Sequence, residues 1–317
     1  MKCVGALLGC LVSTACASPS APRVAPAKNE PIRVALTFDD LPAHAELPPG
    51  VTRLDVIRSI LATLAAHHVP PTYGFVNGSK VKAHPEDGEV LRAWVAAGHP
   101  LGNHGYSHLS LDEKADVDAY LRDLDDNEET LRAFSPPGTP ERAWKVYRYP
   151  YLQEGTSKDI HEKVRTHLQT RGYRIAEVSV DFGDWAWNPA YARCQAKGDA
   201  PAIAALETSY VQDAKTFLRW SSGAAKQVLG RDAAHVLLLH VGAFDARALD
   251  AMLTAYEKMG VTFVALDQAM VDPIYAMDTG YFGKWGEGVF EQLADGKGTV
   301  TLPMPLMPLA LLEGMCR

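Results

Sequence analysis

Two carboxylates, Asp39 and Asp40, stand side by side at the end of an apolar run, and two imidazoles, His104 and His108, lie four residues apart in a glycine-flanked turn. Adjacent acids after a strand also make ordinary helix caps, and paired histidines also occur on plain surfaces. A metal ion would give all four a common purpose. Histidines at that spacing can share one cation, and with Asp40 they form a His₂Asp set that leaves positions for water and substrate. Two nitrogens and one oxygen suit zinc best, with cobalt, nickel or manganese as alternatives. A neighbouring cation would keep Asp39 ionised and available as a base. The zinc-peptidase pattern is absent, because no glutamate follows His104. Arg148 can orient a carboxylate through its planar guanidinium, or simply form a surface ion pair. His240 is the first polar residue after the apolar run 236–239. It reads either as a core histidine satisfied by backbone or as an acid whose tautomer Asp184 fixes. Trp185 and Trp187 suit a core; beside an open cleft they would stack on a sugar face.

The elements that must position these groups follow from periodicity. Short β-branched or aromatic runs predict strands over 32–38, 71–76, 99–102, 146–149, 175–180, 236–239 and 261–266. Helix-period stretches occupy 55–67, 89–97, 112–134, 157–171, 202–229 and 246–259. Strand and helix alternating in this way predict an α/β fold with a parallel sheet, doubly wound or closed into a barrel. Nearly every strand ends in a residue able to do chemistry, and in a parallel barrel those ends open on one face. No glycine-rich dinucleotide fingerprint follows the first strand. After residue 272 the chain turns to glycine, proline and aromatics with little periodicity, and its role is not legible.

Composition narrows the class. With 47% hydrophobic and 22% charged residues in a chain of 317, a disordered polymer is excluded. The net charge of −7, with no block of Lys or Arg, argues against a nucleic-acid partner. No later run approaches the eighteen apolar residues a transmembrane span requires. Met1-Lys2, the apolar stretch 4–12 and the small residues 13–17 form an export leader over 1–17. It ends either by cleavage after Ala17 or by lipidation of Cys16, although Ser13 stands where lipoprotein signals usually carry leucine. A Pro/Ala/Ser-rich tether covers 18–31. Export places the protein in the periplasm, on the cell envelope as a lipoprotein, or in the medium. Outside the leader only Cys194 and Cys316 remain, which predicts one disulfide in an oxidising compartment.

Thr37-Phe38-Asp39-Asp40, His104 with His108, Arg148-Tyr149-Pro150-Tyr151, Asp184-Trp185 and Leu238-Leu239-His240 together resemble the five ordered motifs of polysaccharide deacetylases, the NodB-homology group or carbohydrate esterase family 4. The resemblance spans 32–270, leaving 271–317 as a C-terminal extension. It implies a distorted (β/α) barrel of about seven parallel strands. It further implies that Asp40, His104 and His108 bind a divalent metal and that Asp39 is the base, oriented by Arg148. His240 would be the acid, tuned by Asp184. The Tyr151 N–H would help to stabilise an oxyanion, and Trp185 and Leu238 would line an acetyl pocket. The implied partner is an acetylated polysaccharide, and the implied reaction is removal of acetyl groups from an N-acetylated glycan such as chitin or peptidoglycan. Acetylated xylan, a small-molecule amide, or a non-catalytic carbohydrate-binding envelope lipoprotein are the competing readings. Two departures, Gly105 after the first histidine and Val241 after His240, mark a divergent branch.

Overall fold

The computed structural model describes residues 31–297 and 300–317. The expected leader, with Cys16, and all but the last residue of the tether lie outside the described residues.

A ten-residue strand, β1 (Ile32–Leu41), runs through the centre and is buried from Val34 to its end. That is what a strand covered on both faces requires of its side chains. The remaining strands are β2 (Tyr73–Val76), β3 (Leu101–Asn103), β4 (Val146–Tyr147), β5 (Arg174–Ile175), β6 (Ala234–His240) and β7 (Val261–Phe263). They form one parallel sheet in the order β5-β4-β3-β2-β1-β6, with β7 alongside the first residues of β1. The sheet curls back on itself, since Val180 bridges to Leu237 and the N–H groups of Ser179 and Val180 both donate to the Val236 carbonyl. This is the expected distorted (β/α) barrel. β1 and β6 pair along almost their whole length, which sets Asp39 directly opposite His240.

Apolar stripes of the flanking helices cover the outside of the sheet. Helix Arg53–Ala66 buries Val56, Ile57, Ile60 and Leu64, the i, i+1, i+4, i+8 face that its sequence predicts. Each such side chain contributes about 1.5–3 kcal/mol on leaving water. Two of the departures from the sequence expectation have a visible cause. The helix expected over 112–134 begins at Val117, because Asp116 caps it by accepting the Ala119 N–H. Asp112 instead turns the preceding loop by accepting the Lys114 N–H at 2.8 Å. The strand expected over 175–180 is regular only at Arg174–Ile175. There the Ala176 carbonyl is diverted to the Arg148 guanidinium at 2.6 Å.

Residues 273–297 pack onto the barrel. Ile274, Tyr275, Val289, Phe290 and Leu293 join Ala35, Val146 and Val236 in one buried cluster. At the far end Cys194 and Cys316 are disulfide-bonded. Closing a loop of 122 residues removes denatured-state entropy worth about 5 kcal/mol in the chain-entropy account. Among the described residues no helix is long and apolar enough to cross a membrane.

Candidate functional site

Alternation along β1 places Thr37 and Asp39 on one face, and Arg148 reaches both from the end of β4. Its Nη1 lies 3.3 and 3.4 Å from the two oxygens of Asp39, and its Nη2 donates to Thr37 Oγ1 at 3.1 Å. The guanidinium also lies 4.8 Å from the Phe75 ring centroid. Held on so many sides, it fixes the Asp39 carboxylate in place. Burial pushes the Asp39 carboxyl up to about 6, and the charge of Arg148 offsets only part of that rise.

Asp40 has φ 68 and His108 has φ 57, left-handed conformations that cost a non-glycine residue free energy. The strain aims both side chains at one point. His104 Nδ1 donates to the Arg148 carbonyl at 2.9 Å, which leaves the Nε2 lone pair unprotonated. That Nε2 sits 3.6 Å from Asp39 Oδ2, and His108 Nε2 sits 3.5 Å from Asp40 Oδ1. One donor atom from each of Asp40, His104 and His108 lies within 4.8 Å of the others. A tetrahedral cation with bonds of about 2.0–2.2 Å would set its ligands about 3.4 Å apart, inside that limit. Burial holds His104 well below the usual histidine range and takes His108 down to about 4, so both are neutral at pH 7, as ligation requires. The residues therefore fit a divalent metal. The ring of Tyr151 packs edge-on against His108, with centroids 4.4 Å apart.

His240 faces this group from β6. Its Nδ1 donates to Asp184 Oδ1 at 2.8 Å, and its backbone N–H donates to Asp184 Oδ2 at 2.6 Å. Burial works to lower the His240 pKa, but the charge and hydrogen bond of Asp184 prevail and push it up to about 10. Its remaining ring nitrogen therefore carries a proton at neutral pH.

Asp39, Asp40, His104, His108 and His240 line one cavity of about 890 Å³, together with Tyr151, Trp185 and Leu238, while Arg148 and Asp184 lie buried behind them. The Tyr151 N–H, raised on a residue with φ 58, donates to no described residue. Trp187 does not belong to the cavity. It is fully buried, and its Nε1 donates to Ser209 at 2.9 Å, so of the two tryptophans only Trp185 borders the cleft. A second depression of about 900 Å³, lined by Tyr106, Glu128 and Arg132 among others, contains none of the candidate residues. Gly105 has φ +71, a left-handed conformation that glycine adopts without strain. Val241 is fully buried, and its carbonyl accepts the His44 N–H at 2.8 Å.

Several residues around the site escaped the sequence reading. His44 Nδ1 donates to Asp40 Oδ2 at 2.6 Å, and the Lys80 ammonium donates to Asp40 Oδ1 at 3.0 Å. Both hold the Asp40 carboxyl well below the usual carboxylate range against the opposing effect of burial. The one local signal was a histidine four residues after Asp40. Behind Asp184 lies Asp245, wholly buried and raised well above the carboxylate range by burial and then by the charge of Asp184. Tyr210 and Asn188 each donate to it. Trp285, Gly286, Met307 and Leu309 bring the C-terminal segment to the cavity wall.

The polysaccharide deacetylase family model matches residues 27–176. This segment, a little under half of the chain, is similar to the polysaccharide deacetylase family. Over 152 residues it is 30% identical to a peptidoglycan-N-acetylglucosamine deacetylase of Bacillus cereus, covering 48% of this chain and 46% of that protein. Over 153 residues it is 31% identical to a chitooligosaccharide deacetylase of Sinorhizobium fredii, covering 48% of this chain and 60% of that protein. The matched region thus spans about half the length of these curated relatives. In fold, the chain is similar to a polysaccharide deacetylase from Bacillus cereus (TM-score 0.50, 20% identity, 74% of this chain and 92% of that one). It is equally similar to a CE4-family pseudoenzyme from Bacillus anthracis (TM-score 0.51, 16% identity, 77% of this chain and 66% of that one). The family match stops at residue 176, before Asp184, Trp185, Leu238 and His240, whose relation to the site rests on geometry.

Proposed function

We propose that the protein is a metal-dependent hydrolase that removes acetyl groups from an N-acetylated polysaccharide, a chitin-like or peptidoglycan glycan. The observation that carries this reading is the meeting, in one cavity, of Asp40, His104 and His108 with a carboxylate on one side and a protonated histidine on the other. The two curated relatives, named as deacetylases of peptidoglycan N-acetylglucosamine and of chitooligosaccharides, support the substrate class. Their cell-wall and oligosaccharide substrates also accord with an exported protein, anchored through Cys16 or released.

In this reading Asp40, His104 and His108 hold a divalent metal, zinc first. When bound there, the cation supplies Lewis acidity to the acetyl carbonyl and acidifies water. Asp39 accepts the proton of the attacking water, and its pKa of about 6 suits a base working near neutrality. Arg148 keeps that carboxylate aimed. The Tyr151 N–H donates to the carbonyl oxygen as negative charge builds on it. His240 passes the proton on its Nε2 to the departing amine, which is too basic to leave without it, and Asp184 stabilises the charged ring. Trp185 and Leu238 enclose the acetyl methyl. A pure binding module, the alternative that the pseudoenzyme neighbour brings to mind, has no use for the buried His240–Asp184 pair.

The test is acetate release from N-acetylglucosamine oligomers, peptidoglycan and acetylated xylan, with chelator, with zinc restored, and with Asp39→Asn. Zinc-dependent release that falls at least about 10²-fold in the variant is expected. Silence on all three substrates by the metal-loaded protein would refute the reading.

A further inference from the structure

The cleft has a wall that the family match does not reach, built by Trp285, Gly286, Met307 and Leu309. Its placement is specific. A Cβ on Gly286 would run into the backbone carbonyl of Tyr151, so only glycine lets the chain lie against the Tyr151–Gln153 turn. Gln153 staples the two together: its Nε2 donates to the Lys284 carbonyl at 3.2 Å, while its Oε1 accepts the Leu111 N–H, also at 3.2 Å. The Gly283 N–H donates to the Gly155 carbonyl at 3.0 Å, and the Val289 N–H donates to the Val178 carbonyl at 2.7 Å. On the opposite flank Met307 packs on Gly183, next to Asp184 and Trp185.

This framework presents Trp285, whose indole is 67% exposed. Tyr151, Trp185 and Leu309, three more of the exposed large apolar side chains, line the same cavity. Apolar surface gathered at one concave place, with polar groups between, marks a binding site more often than chance exposure does. The Lys284 ammonium lies 5.0 Å from the Trp285 ring centroid and steadies the indole by a cation–π contact. Ser110, Asp112, Gln153 and Asp181 border the same cavity. A pyranose ring has the matching chemistry: C–H groups on its faces for an indole, and hydroxyls around its rim for amide, hydroxyl and carboxylate partners.

We propose that Trp285, on a segment the family match does not reach, is the stacking platform of a second sugar subsite beside the reacting unit. The inference rests on the deacetylase reading for the identity of the ligand and deepens it. Binding of N-acetylglucosamine monomer and tetramer to the full chain is measured by calorimetry in an Asp39→Asn background, with Trp285→Ala and Trp285→Phe added. Acetate release is measured in the same Trp285 variants with Asp39 intact. The expected result is that the tetramer binds more tightly than the monomer, that Trp285→Ala weakens the tetramer about tenfold, and that Trp285→Phe restores most of the loss. In turnover, KM for the tetramer rises by a similar factor while kcat changes little. Trp285-dependent binding without acetate release would uphold the subsite and refute the deacetylase reading. No tetramer binding, or equal affinity with Ala and Trp at 285, would overturn the subsite.

Discussion

His108 and His240 border the same cavity, yet His108 is taken down to about 4 while His240 is pushed up to about 10. Burial acts in the same direction on both rings, so the contrast lies in the carboxylate each one meets. Asp184 is wholly buried and spends both oxygens on His240, one on the ring and one on the backbone N–H. Asp40 divides its charge among His44, Lys80 and the 3.5 Å approach of His108. One residue type is thereby given opposite tasks: a neutral lone pair on the β3 side and a held proton on the β6 side. In the proposed mechanism this difference of environment would separate the ligand His108 from the acid His240.

The comparison breaks hardest at Asp184. Asp184→Asn keeps the shape but removes the charge that reverses burial at His240, so the ring should lose its proton near neutrality. Turnover of an acetamide substrate is expected to fall by roughly 10²–10⁴-fold. An acetate ester, whose leaving group needs the proton less, should lose far less. Equal losses on both substrates would remove His240 from the acid role.

A smaller effect sharpens the same contrast. Asp39 must be ionised to act as base and His240 protonated to act as acid. The kcat/KM of the wild type should therefore rise with pH through about 6 or below, because a bound cation favours the charged form of Asp39, and fall only in the alkaline range where His240 gives up its proton. In Asp184→Asn the falling limb should move to lower pH while the rising limb stays. A pH series on a soluble oligomer reads both limbs, and a falling limb that does not move would detach Asp184 from His240.

The sequence made legible what is local in the chain. The Thr37–Asp40 run, the His104/His108 spacing and the polar residues after the apolar strands pointed to a barrel with these side chains gathered on one face, and the structure brings them to one cavity. What it hid depends on tertiary placement. His44 and Lys80 meet at Asp40 from different elements, and no spacing announces that meeting. Trp185 and Trp187 stand two residues apart, but the turn Asp184–Ala186 sends one to the cleft and the other into the core. Asp112 and Asp116 offer equal capping chemistry, and only the second caps the helix. The C-terminal wall lacks any periodicity because its residues are chosen by contacts with distant loops, as Gly286 is by the Tyr151 carbonyl.

If Asp40, His104 and His108 form one metal site, the metal content of the protein depends on them. Protein purified, stripped with chelator and reloaded should retain one zinc per chain by elemental analysis. His108→Ala should lose most of that zinc, and His104→Ala/His108→Ala should lose all of it. Full zinc retention by the double variant, or no retention by the wild type, would contradict the account.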